Sequence, residues 1–275
     1  MSVSRPTRKA EWDKVAKWWE ELTGETGNVH QRLDIDPVVL RLIGNLRNKK
    51  ILEIGCGNGY FARLLAKRGA KVTAIDLSKN LIEIALKREK ERSLGIKYLI
   101  RDAARIHGIK DNSFDIVVAN MCLMDIARTD KAIREASRVL KKNGRFIFSI
   151  THPAFADYRQ RWLPVKEGNK KYFARVLTTY LSPSAKKVKM WTARAKVTQY
   201  HRSVDAYVAY LKKAGFLISD FREVATKKKP AKAGKGDNTR TIRSKYKNLS
   251  EKRMKEFAGK EFPLFLVVGA VRTTK

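Results

Sequence analysis

Residues 51–68 read ILEIGCGNGYFARLLAKR, and this stretch decides the fold. Its beginning, ILEI, predicts a short buried strand, and the apolar spacing of its end, YFARLLAKR, predicts a helix. Between them lies a loop with glycine at every second position, Gly55, Gly57 and Gly59. Such glycines let the backbone turn tightly and leave room for a ligand near the positive end of the following helix.

The same alternation of strand and helix extends to residue 150. Further short, apolar strands are predicted at 71–76, 96–100, 114–120 and 144–150, with helices at 60–68, 81–92 and 130–141 between them. This order predicts a doubly wound α/β sheet with right-handed crossovers. Two helices, at 10–22 and 36–46, precede the sheet. After residue 150, a further helix is predicted at 204–214, and strands at 216–224 and 263–271 bring the sheet to seven strands.

The glycine loop differs from the one that binds dinucleotides. Its spacing is Gly-x-Gly-x-Gly, and Glu53 stands two positions before the first glycine. A dinucleotide site has the spacing G-x-G-x-x-G, and a carboxylate beside it would repel a pyrophosphate. The loop therefore favours a ligand that carries an amino group and no phosphate.

Polar residues also follow the next three strands. Asp76 ends the second strand, Asp102 and Ala103 follow the third, and Asn120 with Met121 ends the fourth. Each acid by itself is typical of a turn or helix cap. Ligands of doubly wound sheets bind at the carboxyl ends of the strands, so the glycine loop and these three groups together predict a binding crevice.

Residues 50–151 resemble the class I S-adenosylmethionine-dependent methyltransferases. The resemblance rests on the glycine loop, the two acids and the segment EASRVLKKNGRFIFSITHPAF, and PLFLVVGAVR resembles the antiparallel last strand of that family. It implies a Rossmann-like, mostly parallel sheet and S-adenosyl-L-methionine as cofactor, with no metal. The implied cofactor-binding residues are Glu53, Gly55, Cys56, Gly57, Gly59, Asp76, Leu77, Asp102, Ala103, Asn120 and Met121.

Three residues near the predicted methyl group are candidates for catalysis. Methyl transfer needs alignment and removal of a proton, and Asn120, Asp125 and His152 follow the fourth and fifth strands. The alternatives are a capping role for Asp125 and a structural role for His152.

Cys122 suggests methylation at carbon 5 of cytosine, which needs a thiolate. That chemistry is found with Pro-Cys or Thr-Cys, and neither pair occurs here, so we interpret Cys122 as a packing residue.

Enzymes that methylate exocyclic amines commonly have Asn or Asp followed by Pro-Pro and an aromatic residue, and only Asn120 of that pattern is present.

The charge of the chain indicates which class of molecule accepts the methyl group. The 275 residues include 60 Lys or Arg against 27 Asp or Glu, a net charge of +33, which favours a polyanionic partner. A charge-rich thermophile surface is the alternative. Segments 152–202 and 227–260 contribute +10 each, and the first interleaves aromatic residues that can stack on bases. The predicted substrate-binding residues are Pro153, Phe155, Tyr158, Trp162, Lys227, Lys228 and Lys229.

These features together predict an RNA methyltransferase that acts on a base nitrogen of ribosomal RNA. The layout is similar to archaeal-type enzymes that methylate cytidine N4 in small-subunit ribosomal RNA. Two alternatives stay open, a small-molecule or protein methyltransferase and a non-catalytic ribosome assembly factor.

The predicted organisation has four parts: a helical preface at 1–48, a cofactor-binding core at 49–151, a basic aromatic insertion at 152–202, and a completion of the sheet at 203–275 that contains the basic insertion 227–260. Trp12, Trp18 and Trp19 of the preface either form a lid over the cofactor or anchor their helix. Two cysteines and the lack of a long apolar run predict a cytoplasmic protein without a membrane segment.

Overall fold

Five parallel strands from the first part of the chain form most of the central sheet. They are β1 (Lys50–Ile54), β2 (Lys71–Asp76), β3 (Lys97–Ile100), β4 (Phe114–Asn120) and β5 (Leu140–Thr151). The computed structural model describes residues 7–156, 161–177, 179–189, 195–226 and 263–273, with the backbone alone for 7–10, 161–167 and 170–176.

Four further strands form two separate hairpins, and two more complete the sheet. The hairpins pair β6 (Arg161–Glu167) with β7 (Lys170–Val176) and β8 (Ser184–Lys189) with β9 (Lys196–His201). The sheet is completed by β10 (Phe216–Val224) and β11 (Phe265–Arg272), and its order is β10-β11-β5-β4-β1-β2-β3. Since β11 is antiparallel to both neighbours, the predicted fold is confirmed.

Helices cover both faces of the sheet. They are α1 (Thr7–Thr23), α2 (Asp36–Ile43), α3 (Tyr60–Ala66), α4 (Lys79–Glu91), α5 (Thr129–Val139) and α6 (Val204–Lys213), with a π-helical turn at Gln31–Ile35. One buried cluster joins α2, α3 and α4 to the sheet, and the other joins α5 and α6 to it. Because both faces are covered, the central strands are buried on both sides, as their continuous apolar runs predict.

The structure corrects the predicted end of the helix at 130–141. The helix α5 ends at Val139, and Asn143 and Gly144, which were predicted to close it, lie inside β5. Residues 141–144 form a bulge there, since Phe114 pairs with Leu140 and Ile116 with Arg145. Asn143 adopts a left-handed φ of 59°, and fully buried Leu140 holds the start of the strand in the core.

Sequence patterns also missed the two hairpins of the insertion. In β8 no residue is buried and Ala185, Lys186 and Lys187 are exposed in succession, so the strand has no apolar run to predict it. Tyr158 and Lys227–Lys229 lie outside the described residues, and Trp162 lies in β6, where only the backbone is described. None of the helices in the described ranges has the length and apolarity that a bilayer span requires.

Candidate active site

The glycine loop lies between β1 and α3 at the carboxyl edge of the sheet, on the floor of the predicted crevice. Gly55, Gly57 and Gly59 have φ values of 67°, 56° and 75°, which other residues rarely adopt. A Cβ at Gly55 would lie 2.5 Å from the Cβ of Cys122, and one at Gly59 would lie 2.6 Å from the hydroxyl of Tyr98. Close packing therefore requires glycine at both positions.

Asp76 joins this loop to the loop after β2. Its Oδ2 accepts the N–H of Gly57 at 2.8 Å, and its Oδ1 accepts the N–H of Ser78 at 2.9 Å. Burial raises the pKa of Asp76, and these backbone hydrogen bonds oppose the shift. Carboxylate oxygens have more than one acceptor site each, so Asp76 can also accept hydroxyl groups from a ligand.

Helix α1 covers the floor of the crevice. Asn58 is fully buried, and its Nδ2 donates to the Oγ1 of Thr23 and the carbonyl of Gly24, both at 2.9 Å. The indole of Trp19 stands over Gly57, where a Cβ would lie 3.1 Å from its Nε1. The lid interpretation of the preface is therefore compatible with the structure at Trp19, while Trp12 and Trp18 pack with buried Val15 and Val197.

A second anchor of α1 is Asp13. Its Oδ1 accepts the hydroxyl of Ser78 at 2.6 Å and the N–H of Asn80 at 3.1 Å, where α4 begins. Acceptors at this point satisfy unpaired N–H groups of the helix and interact favourably with its dipole.

A buried polar network that the sequence did not predict lies at the ends of β4 and β5. The Nδ2 of Asn120 donates to the Oδ1 of Asp36 at 2.9 Å and lies 3.0 Å from the hydroxyl of Tyr60. The hydroxyl of Ser149 donates to the Oδ1 of Asn120 at 2.6 Å. Burial raises the pKa of Asp36 to about 7, although hydrogen bonds from Asn120 and Tyr60 lower it.

Met121 follows Asn120 in a left-handed conformation with φ of 57°. Its N–H donates to the carbonyl and to the hydroxyl of Ser149, at 3.0 and 2.9 Å. A bulky residue in this region is uncommon and is maintained by its surroundings. These bonds hold the turn that leads from β4 into the crevice.

Glu53 lies buried beneath the loop. Burial raises its pKa well above the usual range, and the nearby charges of Asp36 and Asp76 add to the shift. Its Oε2 has no hydrogen-bond partner among the described residues. Three carboxyl groups, those of Glu53, Asp36 and Asp76, thus interact inside this strongly basic protein.

Asp125 lies in the short 3₁₀ turn Leu123–Asp125 after β4. Burial raises its pKa to about 8, against a hydrogen bond from Gln199 of β9. Its Oδ1 is buried and has no partner within the described part of the chain. The β8–β9 hairpin thus extends over the crevice to the predicted catalytic acid, a contact that no sequence pattern indicated.

His152 points instead toward the strand at the edge of the sheet. Its Nε2 lies 2.9 Å from the Oε1 of Glu223, and its Nδ1 accepts the N–H of Ala154 at 3.1 Å. This pairing places the proton on Nε2. With both ring nitrogens engaged, the geometry favours the structural alternative, and the catalytic role stays a prediction.

The other predicted positions have simpler surroundings. The Oδ1 of exposed Asp102 accepts the N–H of Ala104 at 2.8 Å, while Ala103 is buried and Leu77 is exposed. The ring of Phe155 packs 4.8 Å from that of His152, and Pro153 is buried.

Cys56 and Cys122 are buried free thiols whose pKa values are raised by burial, which fits packing rather than nucleophilic roles.

Comparison with known proteins identifies relatives of this chain. The family described as "Methyltransferase domain" matches residues 52–148. The ubiquinone biosynthesis O-methyltransferase of Photobacterium profundum is 31% identical over 150 residues, covering 53% of this chain and 62% of that protein. The protein of the same name from Nitrosococcus oceani is 32% identical over 172 residues, covering 58% of this chain and 71% of that protein.

A solved structure shares the same architecture. The S-adenosylmethionine-dependent methyltransferase from Mesorhizobium loti has a TM-score of 0.61 and 25% sequence identity. The match covers 86% of this chain and 96% of that one.

Proposed function

Because this chain belongs to the S-adenosylmethionine-dependent methyltransferases, we propose that it methylates a nucleophilic atom of an acceptor bound at the carboxyl edge of the sheet. The observation that carries this proposal is the glycine loop joined to Asp76 beneath α1. The chain spans 62% and 71% of the two curated relatives, so their activity is extended to it as a proposal.

The residues of the crevice fit S-adenosyl-L-methionine, the cofactor of this family. Gly57 presents backbone without a side chain, and Asp76 keeps acceptor sites for ribose hydroxyls. A positively charged group of the ligand would favour ionisation of the carboxyl groups of Asp36 and Glu53, whose pKa values burial raises, and the unpartnered Oε2 of Glu53 can accept an N–H. When bound, the cofactor supplies a methyl group that its sulfonium has already activated.

The protein then has to align the acceptor and receive its proton. Asp125 is suited to the second task, because its Oδ1 is unpartnered and burial raises its pKa to about 8. A base works best when its pKa lies near the operating pH. Asn120 and Met121 shape the same wall of the crevice through their bonds to Ser149.

The first candidate for the acceptor is a small molecule with a hydroxyl group. The names of both curated relatives describe O-methylation in ubiquinone biosynthesis, and these matches favour this acceptor over the predicted RNA. The base at Asp125 is compatible with deprotonation of such a hydroxyl.

The second candidate is RNA, which the sequence predicted. The observation in its favour is the position of the β8–β9 hairpin, which places exposed Lys186, Lys187 and Lys189 on the element that contacts Asp125 through Gln199. The net charge of +33 supports the same acceptor. In its more specific form, this candidate places the methyl group on a base nitrogen of the RNA, in particular on N4 of cytidine.

One labelling experiment separates the candidates. The protein is incubated with methyl-labelled S-adenosylmethionine and, separately, with total RNA, protein extract and small metabolites from the source cells. Label in the metabolite pool supports the first candidate, and label in RNA that digests to a methylated nucleoside supports the second. Label in protein alone contradicts both acceptors, and absence of label from all three pools overturns the proposed activity in favour of a non-catalytic role.

The matched control is Asp125→Asn, which keeps the size of the side chain and removes the base. Label transfer should fall while binding of the cofactor is retained. Full transfer by this variant would contradict the role of Asp125 without affecting the assignment of the acceptor.

A further inference from the structure

The strands β1, β2 and β3 each begin with an exposed lysine, at Lys50, Lys71 and Lys97. These strands are neighbours in the sheet, and Lys50 and Lys71 are register partners. Lys49 and Lys142 are exposed at the same edge. We call these five residues the amino-edge lysines, because they lie at the edge opposite the crevice.

The charge of this edge is poorly compensated. None of the five ammonium groups lies within 4.0 Å of a carboxylate in the described ranges. Asp115 is engaged by the ammonium of Lys141 at 2.6 Å and by the backbone N–H of Lys50 at 2.7 Å. Lys50 and Lys71 face each other across β1 and β2, and like charges in this arrangement destabilise a sheet, so local stability does not explain this pair.

A helix dipole does not explain it either. Basic residues in the last turn of a helix, such as Lys212 and Lys213 of α6, interact favourably with the dipole of that helix. Strands have only small net dipoles, so lysines at their beginnings gain no such stabilisation. A role at the surface is therefore the better explanation.

Two clefts lie beside part of this edge, at Lys49 and Lys142, whereas Lys50, Lys71 and Lys97 line neither of them. One, of about 360 Å³, is lined by Lys49, Lys141, Lys142 and Arg145 together with Asp115. The other, of about 410 Å³, is lined by Lys142, Lys212, Lys213 and Arg272. Lys142 lines both, so the two clefts are adjacent.

We propose that the amino edge of the sheet is a docking surface for the phosphate backbone of RNA, separate from the methyl-transfer crevice. Neighbouring strands lie ~4.8 Å apart, so β5, β4, β1, β2 and β3 together span roughly 19 Å, enough for several phosphates. None of the large apolar side chains that are exposed in the described residues lines either cleft. An RNA backbone is favoured over a lipid surface, which binds through inserted apolar groups as well as charge.

The test measures binding of a fluorescent single-stranded RNA of defined sequence by anisotropy over a range of salt concentrations. The edge variant carries Lys50→Gln, Lys71→Gln and Lys97→Gln in the full chain. The control variant carries Lys14→Gln, Lys17→Gln and Lys87→Gln, which remove the same charge from exposed positions of α1 and α4. Each lost phosphate contact lowers the slope of log affinity against log salt by ~0.7, so the edge variant should lose about two units and the control clearly less.

Equal loss in both variants would mean that net charge alone drives binding, and an unchanged slope in the edge variant would mean that RNA does not contact this edge. Either result overturns the proposal. It is also overturned if the three lysines are needed for binding to phosphatidylserine vesicles but not for binding to RNA. Cofactor binding of the edge variant should match the wild type, and its unfolding temperature should be equal to or above that of the wild type, because Lys50 and Lys71 no longer repel each other. Because RNA binding is measured without cofactor or acceptor, its outcome is independent of the proposed methyl transfer.

Discussion

Asp36 shows how a single residue acquires its role from distant parts of the chain. In the sequence it precedes Pro37, and the pair predicts nothing more than the start of a helix. In the structure its carboxylate accepts hydrogen bonds from Asn120 at the end of β4 and from Tyr60 at the start of α3. Long-range packing thus made an acid from the first turn of a helix part of the candidate site.

Substitution Asp36→Asn should flatten the dependence of stability on pH. Burial raises the pKa of Asp36 from 3.8 to about 7, so its contribution to stability is complete at low pH and is lost as the pH rises through about 7. At ~1.36 kcal/mol per unit, this loss is on the order of 4 kcal/mol. Urea unfolding of wild type and variant at acidic and alkaline pH measures it, and parallel pH curves would contradict the buried, protonated carboxyl.

Substitution Asp76→Ala should weaken binding of S-adenosylmethionine. Hydrogen bonds to a charged group contribute about 1.5–3 kcal/mol, so the dissociation constant should rise roughly 10- to 100-fold. Titration calorimetry measures it, with Asp111→Ala as the control, since that change removes a surface carboxylate paired with Arg138. Wild-type affinity in Asp76→Ala would exclude Asp76 from the cofactor site.

At the scale of elements, α1 and the β8–β9 hairpin close the crevice together. Glu11 of α1 accepts the N–H of Thr198 at 2.9 Å, and Val15 packs with Val197 of β9. The pairing of Lys186 with Gln199 sets the register that brings Gln199 to Asp125. A shift of one residue would turn Gln199 to the other face of the hairpin.

Substitution Gln199→Ala should shift the pH profile of methyl transfer to higher pH. The hydrogen bond from Gln199 lowers the pKa of Asp125, which burial raises to about 8, so its removal raises that pKa further. Because a base must be deprotonated to act, activity should appear later as the pH rises. Rates measured across pH test this, with Thr198→Ala as the neighbouring control, and a shift to lower pH would contradict it.

At the scale of the molecule, the positive charge surrounds an acidic centre. Self-repulsion destabilises a compact state with a net charge of +33, and salt screens it over a Debye length of ~10 Å at 0.1 M. The free energy of unfolding should therefore rise from low salt to ~0.1 M salt. Calorimetry measures this change, and the edge variant, with three fewer charges, should show a smaller rise. A wild-type stability that falls with salt would show that favourable ion pairs outweigh the repulsion.

Local patterns were sufficient to predict the sheet and the floor of the crevice. Continuous apolar runs reveal buried parallel strands, and Gly55, Gly57 and Gly59 have the left-handed conformations that their spacing suggested. Asp76 lies at the end of β2 beside this loop, as its position after an apolar run predicts. These features depend on a few adjacent residues, so they are visible in the chain itself.

Contacts between distant segments decided the rest. Asp36 and Gln199 enter the site from elements far from the glycine loop, and His152 is turned toward Glu223 by the pairing of β5, β11 and β10. The strand β8 has no buried residue and no apolar run to predict it, and the amino-edge lysines become neighbours only through the strand order. Local sequence determined the strands of the central sheet and the glycine loop, and tertiary packing decided which side chains meet, because their burial and pKa values depend on neighbours from other elements.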